Sequence, residues 1–134
     1  MDIKKEKVLC QKQWAKNKYL VLSYSSKIYL EIRTYLKQEK VSLEKVNKLI
    51  KQAINLPEDK GQVTNALHHV WGYFKKFATK EEKDNFFEMI EDYHINKTTK
   101  EDLIEEVKKL LEKYPNTYLE QSTFINGGQD ETLA

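Results

Sequence analysis

Four side chains spaced for a common surface offer the most chemistry in this sequence. Asn65, His69, Gly72 and Lys76 follow one another at steps of 4, 3 and 4. On an α-helix those steps return to one face, so the four stack in a column, with His68 and Lys75 alongside and Tyr73 flanking the apolar stripe. Asn and His donate and accept hydrogen bonds, and a lysine ammonium neutralises a phosphate or carboxylate. Glycine inside a helix costs ~1 kcal/mol relative to alanine. Gly72 therefore implies a close approach to the backbone, by a crossing helix or by a ligand, and the sequence is compatible with either.

An enzymatic use of this face would make His69 a general acid or base, with Asn65 or Tyr73 orienting the substrate. No nucleophile–base pair, carboxylate dyad or phosphate loop stands at diagnostic spacing, so no catalytic residue is assigned. No metal is expected. His68 and His69 point about 100° apart on a helix, His94 is distant, and the usual i, i+4 pairing of histidine ligands is missing. Cys10 is the single cysteine, which excludes an internal disulfide and a thiolate-built zinc or iron–sulfur centre. No cofactor is expected either. A reducing compartment suits one free thiol. No apolar run approaches the ~20 residues of a membrane span. The opening Met1-Asp2-Ile3-Lys4-Lys5 leads into no signal-peptide core. The expectation is a cytoplasmic protein without a membrane partner.

Charge is unevenly placed. Residues 1–78 hold 16 Lys+Arg against 7 Asp+Glu, and residues 79–134 hold 7 against 14, although the net charge is only +2. Lys5, Lys12 and Lys16 align on one stripe of the first helical segment, with Lys18 nearby. Lysines so grouped suit a polyanion, where they meet phosphates, and Trp14, Tyr24 or Tyr73 would stack on bases if exposed. The alternative is that the two parts pack together and neutralise each other.

The elements that must position these groups are helical. Gly and Pro number only 4 and 2, and apolar residues recur at helical spacing throughout. The pattern predicts helices over 4–22, 27–38, 43–55, 62–77, 80–94 and 100–113, with a short turn of helix in 118–124. Ser25 or Ser26, Ser42, Thr79 with Glu82, and Thr98 or Thr99 supply the starts. Val8, Ala15, Tyr19 and Leu22 form the inner face of the first helix. Val63, Ala66, Leu67, Val70, Phe74 and Phe77 form that of the fourth. Residues 57–61 read as a loop, and Pro57 ends the third helix. The fold class is all-α: one bundle of six to seven helices over 1–125, followed by a loose tail, 126–134.

The fourth segment, Asn65-Ala66-Leu67-His68-His69-Val70-Trp71-Gly72-Tyr73-Phe74-Lys75-Lys76, resembles the signature of the YbgA-like family, close to N-x-L-x-H-x-x-G-Y-F-K-K. Lys18-Tyr19 with Ser23-Tyr24-Ser25 and Tyr29 resembles that family's opening stretch. Tyr118-Leu119-Glu120-Gln121 resembles its closing Y-L-x-Q. The likeness spans about 8–125. The chain departs from it at Trp14 and Asn17, where the family often has a histidine pair, and at Tyr24, where it has another histidine. Thr98-Thr99 and Asn126-Gly127-Gly128 replace proline-rich stretches. The resemblance implies a domain of uncharacterised function, found alone or joined to a cysteine-rich iron–sulfur desulfidase domain acting on thiolated uracil or tRNA. This chain lacks the cysteines of such a domain and would work with a separate desulfidase-type enzyme.

Three functions follow. The first is a non-catalytic accessory domain binding tRNA or another nucleic acid through Lys12, Lys16, Lys18, Asn65, His69, Gly72, Tyr73, Lys75 and Lys76. The second is a protein-interaction or regulatory domain using the same fourth-helix face, a homodimer included. The third is an enzyme built on His69.

Overall fold

Seven helix starts are written into side chains that reach their own first turn. Asp2 accepts from Lys4 N–H, Ser25 from Ile28, Ser42 from Lys45, Asp59 from Gln62, Thr99 from Asp102 and Asn116 from Leu119. Thr79 and Glu82 close a reciprocal capping box. In this computed structural model, which describes residues 2–127, they open α1 (Ile3–Tyr24), α2 (Ser26–Tyr35), α3 (Leu43–Ile54), α4 (Lys60–Trp71), α5 (Lys80–His94), α6 (Lys100–Lys113) and α7 (Thr117–Glu120). α8 (Thr123–Asn126) closes the described chain without a side-chain cap. No strand occurs among the described residues. Asn126, expected in the tail, belongs to α8, and Gly127 takes a left-handed φ of 59° as its C-cap; the rest of the expected tail, 128–134, lies outside the described residues.

α1 is the spine and packs against α2, α3, α4 and α8. Its inner face splits between two cores. Cys10 and Val21 join Ile28, Ile32, Val46 and Ile50 of α2 and α3. Tyr19 and Leu22 join the larger core of α4, α5, α6 and the two short helices, which buries Leu67, Phe74, Phe86, Tyr93, Leu103 and Leu119 almost completely. A few boundaries differ from the sequence pattern. α2 ends at Tyr35, not 38. Asp59 caps α4 two residues earlier than expected, which places Gly61 inside the helix and shortens the loop. Val8 is not part of the inner face and leaves 48% of its surface exposed. Cys10 and Val21 take the place expected of it, because α3 approaches α1 from that side.

Polar groups fix the far end of the chain to the spine. Thr123 Oγ1 donates to buried Asn17 Oδ1 at 2.8 Å and lies 3.2 Å from Lys16 O. Asn17 Nδ2 donates to Gln13 O at 3.0 Å, and Gln13 Nε2 donates to Asn47 Oδ1 of α3 at 2.9 Å. One run of amides and hydroxyls thus ties α3, α1 and α8 together. Buried polar groups require such pairing.

Candidate functional site

The face of α4 does not continue to Lys76. The α-helix stops at Trp71, and Gly72, with φ −53° and ψ −26°, is its C-cap. From there the backbone tightens: Gly72 N bonds His69 O (3.2 Å), Tyr73 N bonds Val70 O (3.0 Å) and Phe74 N bonds Trp71 O (2.9 Å). Lys75 N also bonds Trp71 O (3.1 Å), so i→i+3 and i→i+4 links mix and the advance departs from the regular 100° per residue towards about 120°. The column of Asn65, His69, Gly72 and Lys76 is therefore broken at its midpoint. The same tightening turns Phe77 out of the apolar stripe to 64% exposure, whereas Phe74 remains buried.

Gly72 marks no helix crossing. A Cβ built there would meet, within 4 Å, only the His69 carbonyl oxygen of its own turn, at 3.1 Å. What glycine relieves is crowding inside the tightened turn. Asn65, His69, Gly72, Lys75 and Lys76 are all exposed, and Tyr73 is half-buried. The three histidines are separate: His68 lies edge-on to Phe87, His94 Nε2 is 2.9 Å from Thr64 Oγ1, and His69 points to solvent. No group of three or more metal-ligating side chains occurs among the described residues.

Tyr73 leads elsewhere. Its hydroxyl pairs with that of Tyr19 at 2.8 Å, and its ring stacks on Tyr118 of α7 at 6.1 Å and 10°. Tyr19 meets both rings edge-on. Lys18 Nζ sits 5.3 Å from the centre of the Tyr19 ring and 5.4 Å from that of Tyr118, within cation–π range. Burial and the Tyr73 hydroxyl push the Tyr19 hydroxyl far above its ordinary range, and burial pushes up that of Tyr118, so both stay protonated and neutral. On the outer side of this cluster, Lys12, Ala15 and Lys16 of α1 and Tyr118 and Gln121 from the α7 end line a groove of about 320 Å³.

Of the site residues expected from sequence, Lys12, Lys16, Lys18 and Tyr73 are thus brought together around Tyr118. Asn65 and His69 lie earlier on α4, and Lys75 and Lys76 on the turns after it. Tyr118 and Gln121 were visible only as the closing Y-L-x-Q, with no indication that they meet α1. Trp14 and Tyr24, the other rings considered for stacking, are already engaged: Trp14 lies 5.2 Å from Tyr29, and Lys100 sits over Tyr24 at 5.4 Å.

The charge asymmetry of the sequence becomes spatial. α1, α2 and α3, which carry most of the basic excess, surround the smaller core, and acidic α5 and α6 pack on the other. Four lysines of α5 and α6 pair with carboxylates of the same two helices: Lys80 with Asp84, Lys108 with Glu105, Lys109 with Glu106 and Lys113 with Glu82. Glu58 joins the two halves: it accepts from the Tyr93 hydroxyl at 2.6 Å and pairs with Lys100 at 3.6 Å. A second groove on the basic half, about 440 Å³, is lined by Ser42, Glu44, Lys45, Lys48, Leu49 and Gln52.

The sequence model of one family, described as a protein of unknown function (DUF1722), matches residues 18–127. The chain belongs to that family. No curated protein and no solved structure matches it. No helix among the described residues is long and apolar enough to cross a membrane.

Proposed function

We propose that this DUF1722 member is a non-catalytic accessory domain that binds RNA, with tRNA as its ligand class. The observation that carries this reading is the convergence of Lys12 and Lys16 of basic α1 with Tyr118 and Gln121 on one groove, with Lys18 beside Tyr118. Ammonium groups in a row along a groove suit phosphates of a nucleic-acid backbone, and Gln121 and the Tyr118 hydroxyl supply hydrogen bonds to sugar or phosphate oxygens. The YbgA-like motifs supply the context: the domain would present RNA to a separate enzyme of the desulfidase type. Titration of labelled tRNA at low and at raised salt tests the proposal. Binding that weakens steeply with salt supports it, and absence of binding at low salt overturns it.

A second reading, a protein-docking domain, draws on a different surface. Val8 and Leu9, 48% and 39% exposed, line with Lys4 and Lys5 an apolar groove of about 420 Å³ on α1. An acidic amphipathic segment of a partner would fit it. Loss of a co-purifying partner in Val8→Asp would favour this reading over the first.

A further inference from the structure

Phe77 is the most exposed large hydrophobic residue of the described chain, at 64%. Single exposed apolar side chains are ordinary, but this one is held in place. Its ring stacks on Tyr114 at 6.3 Å and 24°. The Tyr114 hydroxyl donates to Glu82 Oε1 at 2.7 Å. Glu82 also accepts from Thr79 N–H at 2.8 Å and pairs with Lys113 at 3.2 Å. Lys113 Nζ lies 5.4 Å from the centre of the Tyr114 ring. Phe77 is thus the outer member of a pre-assembled aromatic stack whose inner member is hydrogen-bonded to the start of α5.

Two further observations point to what it receives. Exposed Lys75 and Lys76 immediately precede it. Tyr73, which stacks on the Tyr118 wall of the lysine groove, stands four residues before it. Two exposed lysines and an exposed ring thus follow, within four residues, a ring that packs on the groove wall. A phenyl ring has no hydrogen-bonding group, so it selects a π-face without selecting a base.

We propose that Phe77 is a stacking platform for an unpaired nucleobase, and that the RNA held in the lysine groove carries a single-stranded end beside its duplex. This rests on the RNA-binding reading above. The test compares a short RNA duplex, blunt-ended, with the same duplex bearing a single-stranded extension. Wild type is expected to bind the extended probe about tenfold more tightly. Phe77→Leu should lose that preference with blunt-duplex affinity unchanged, and Phe77→Trp should keep it. A preference that survives Phe77→Leu, or equal weakening of both probes, overturns the stacking site and leaves the groove standing. Blunt binding without any preference for the extension in wild type does the same. If neither probe binds the wild type, the groove reading fails and the stacking site falls with it.

Discussion

Removing three charges from α1 tests the groove quantitatively. Lys12, Lys16 and Lys18 are replaced together by glutamine, which keeps part of each stem and removes each charge. A lysine that neutralises a duplex phosphate contributes about 0.9 to the slope of log affinity against log salt, so three contribute about 2.7. Between 50 and 200 mM salt, the range for which the effect is usually stated, a slope difference of about 2.7 corresponds to about 40-fold. Wild type should therefore lose about 40-fold more affinity than the variant over that interval. Fold stability of the variant is measured beside it as the control, because Lys16 is itself engaged and the contact of Lys18 with Tyr19 and Tyr118 is worth about 0.5–1 kcal/mol. The comparison variant, Asn65, His69 and Lys76 to alanine, removes one formal charge at neutral pH and should change the slope by at most about 0.9. Fluorescence anisotropy with labelled tRNA across a salt series reads both. An unchanged slope in the α1 variant, or a larger change in the α4 variant, would refute the placement of the interface on α1.

Other outcomes follow from the packing. Leu119→Ala, at a fully buried position of α7, should cost about 2–5 kcal/mol in a denaturant titration. It should also weaken RNA binding, because α7 carries Tyr118 into the groove wall. Gly72→Ala should change unfolding free energy by less than about 1 kcal/mol, since the added methyl meets only its own turn's carbonyl and a backbone already in the helical region loses less entropy on folding. A larger loss would mean that another element packs on that backbone. Glu82 is held down to about 2 from its ordinary 4.5, first by Thr79 N–H, then by the Tyr114 hydroxyl and Lys113. Its folded value lies below its unfolded one, so its contribution is complete above about pH 4.5 and disappears as pH falls towards 2. Acid unfolding of Glu82→Gln should accordingly be flatter than wild type across that window.

Much of the fold was legible because its signals are local. A cap needs a hydroxyl or carboxylate within three residues of the N–H it accepts from, and Ser42, Thr79 and Thr99 all act as the pattern indicates. Apolar residues of α3 and α6 repeat at helical spacing, and Val46, Leu49, Ile50 and Ala53 of the one and Leu103, Val107, Leu110 and Leu111 of the other are buried. The end of α4 was not legible. Periodicity continues through Phe77, and only the tightening after Trp71, which keeps Phe74 in the core and turns Phe77 outward, stops the helix. The site was half visible. Steps of 4 bring Lys12 and Lys16 together within one helix, but their meeting with Tyr118 joins positions more than a hundred residues apart. It depends on contacts such as Thr123 with Asn17 that no spacing reveals. The Asn65, His69, Gly72 and Lys76 column was a correct inference from helical geometry applied past the point where the helix ends.

The most direct test is to map amide and side-chain resonances of the labelled protein while a short RNA duplex is added. Shifts concentrated at Lys12, Lys16, Lys18, Tyr118 and Gln121, and diminishing with added salt, are the predicted result. Shifts confined to Asn65 and His69 on α4, or none at all at low salt, would contradict an RNA interface on α1.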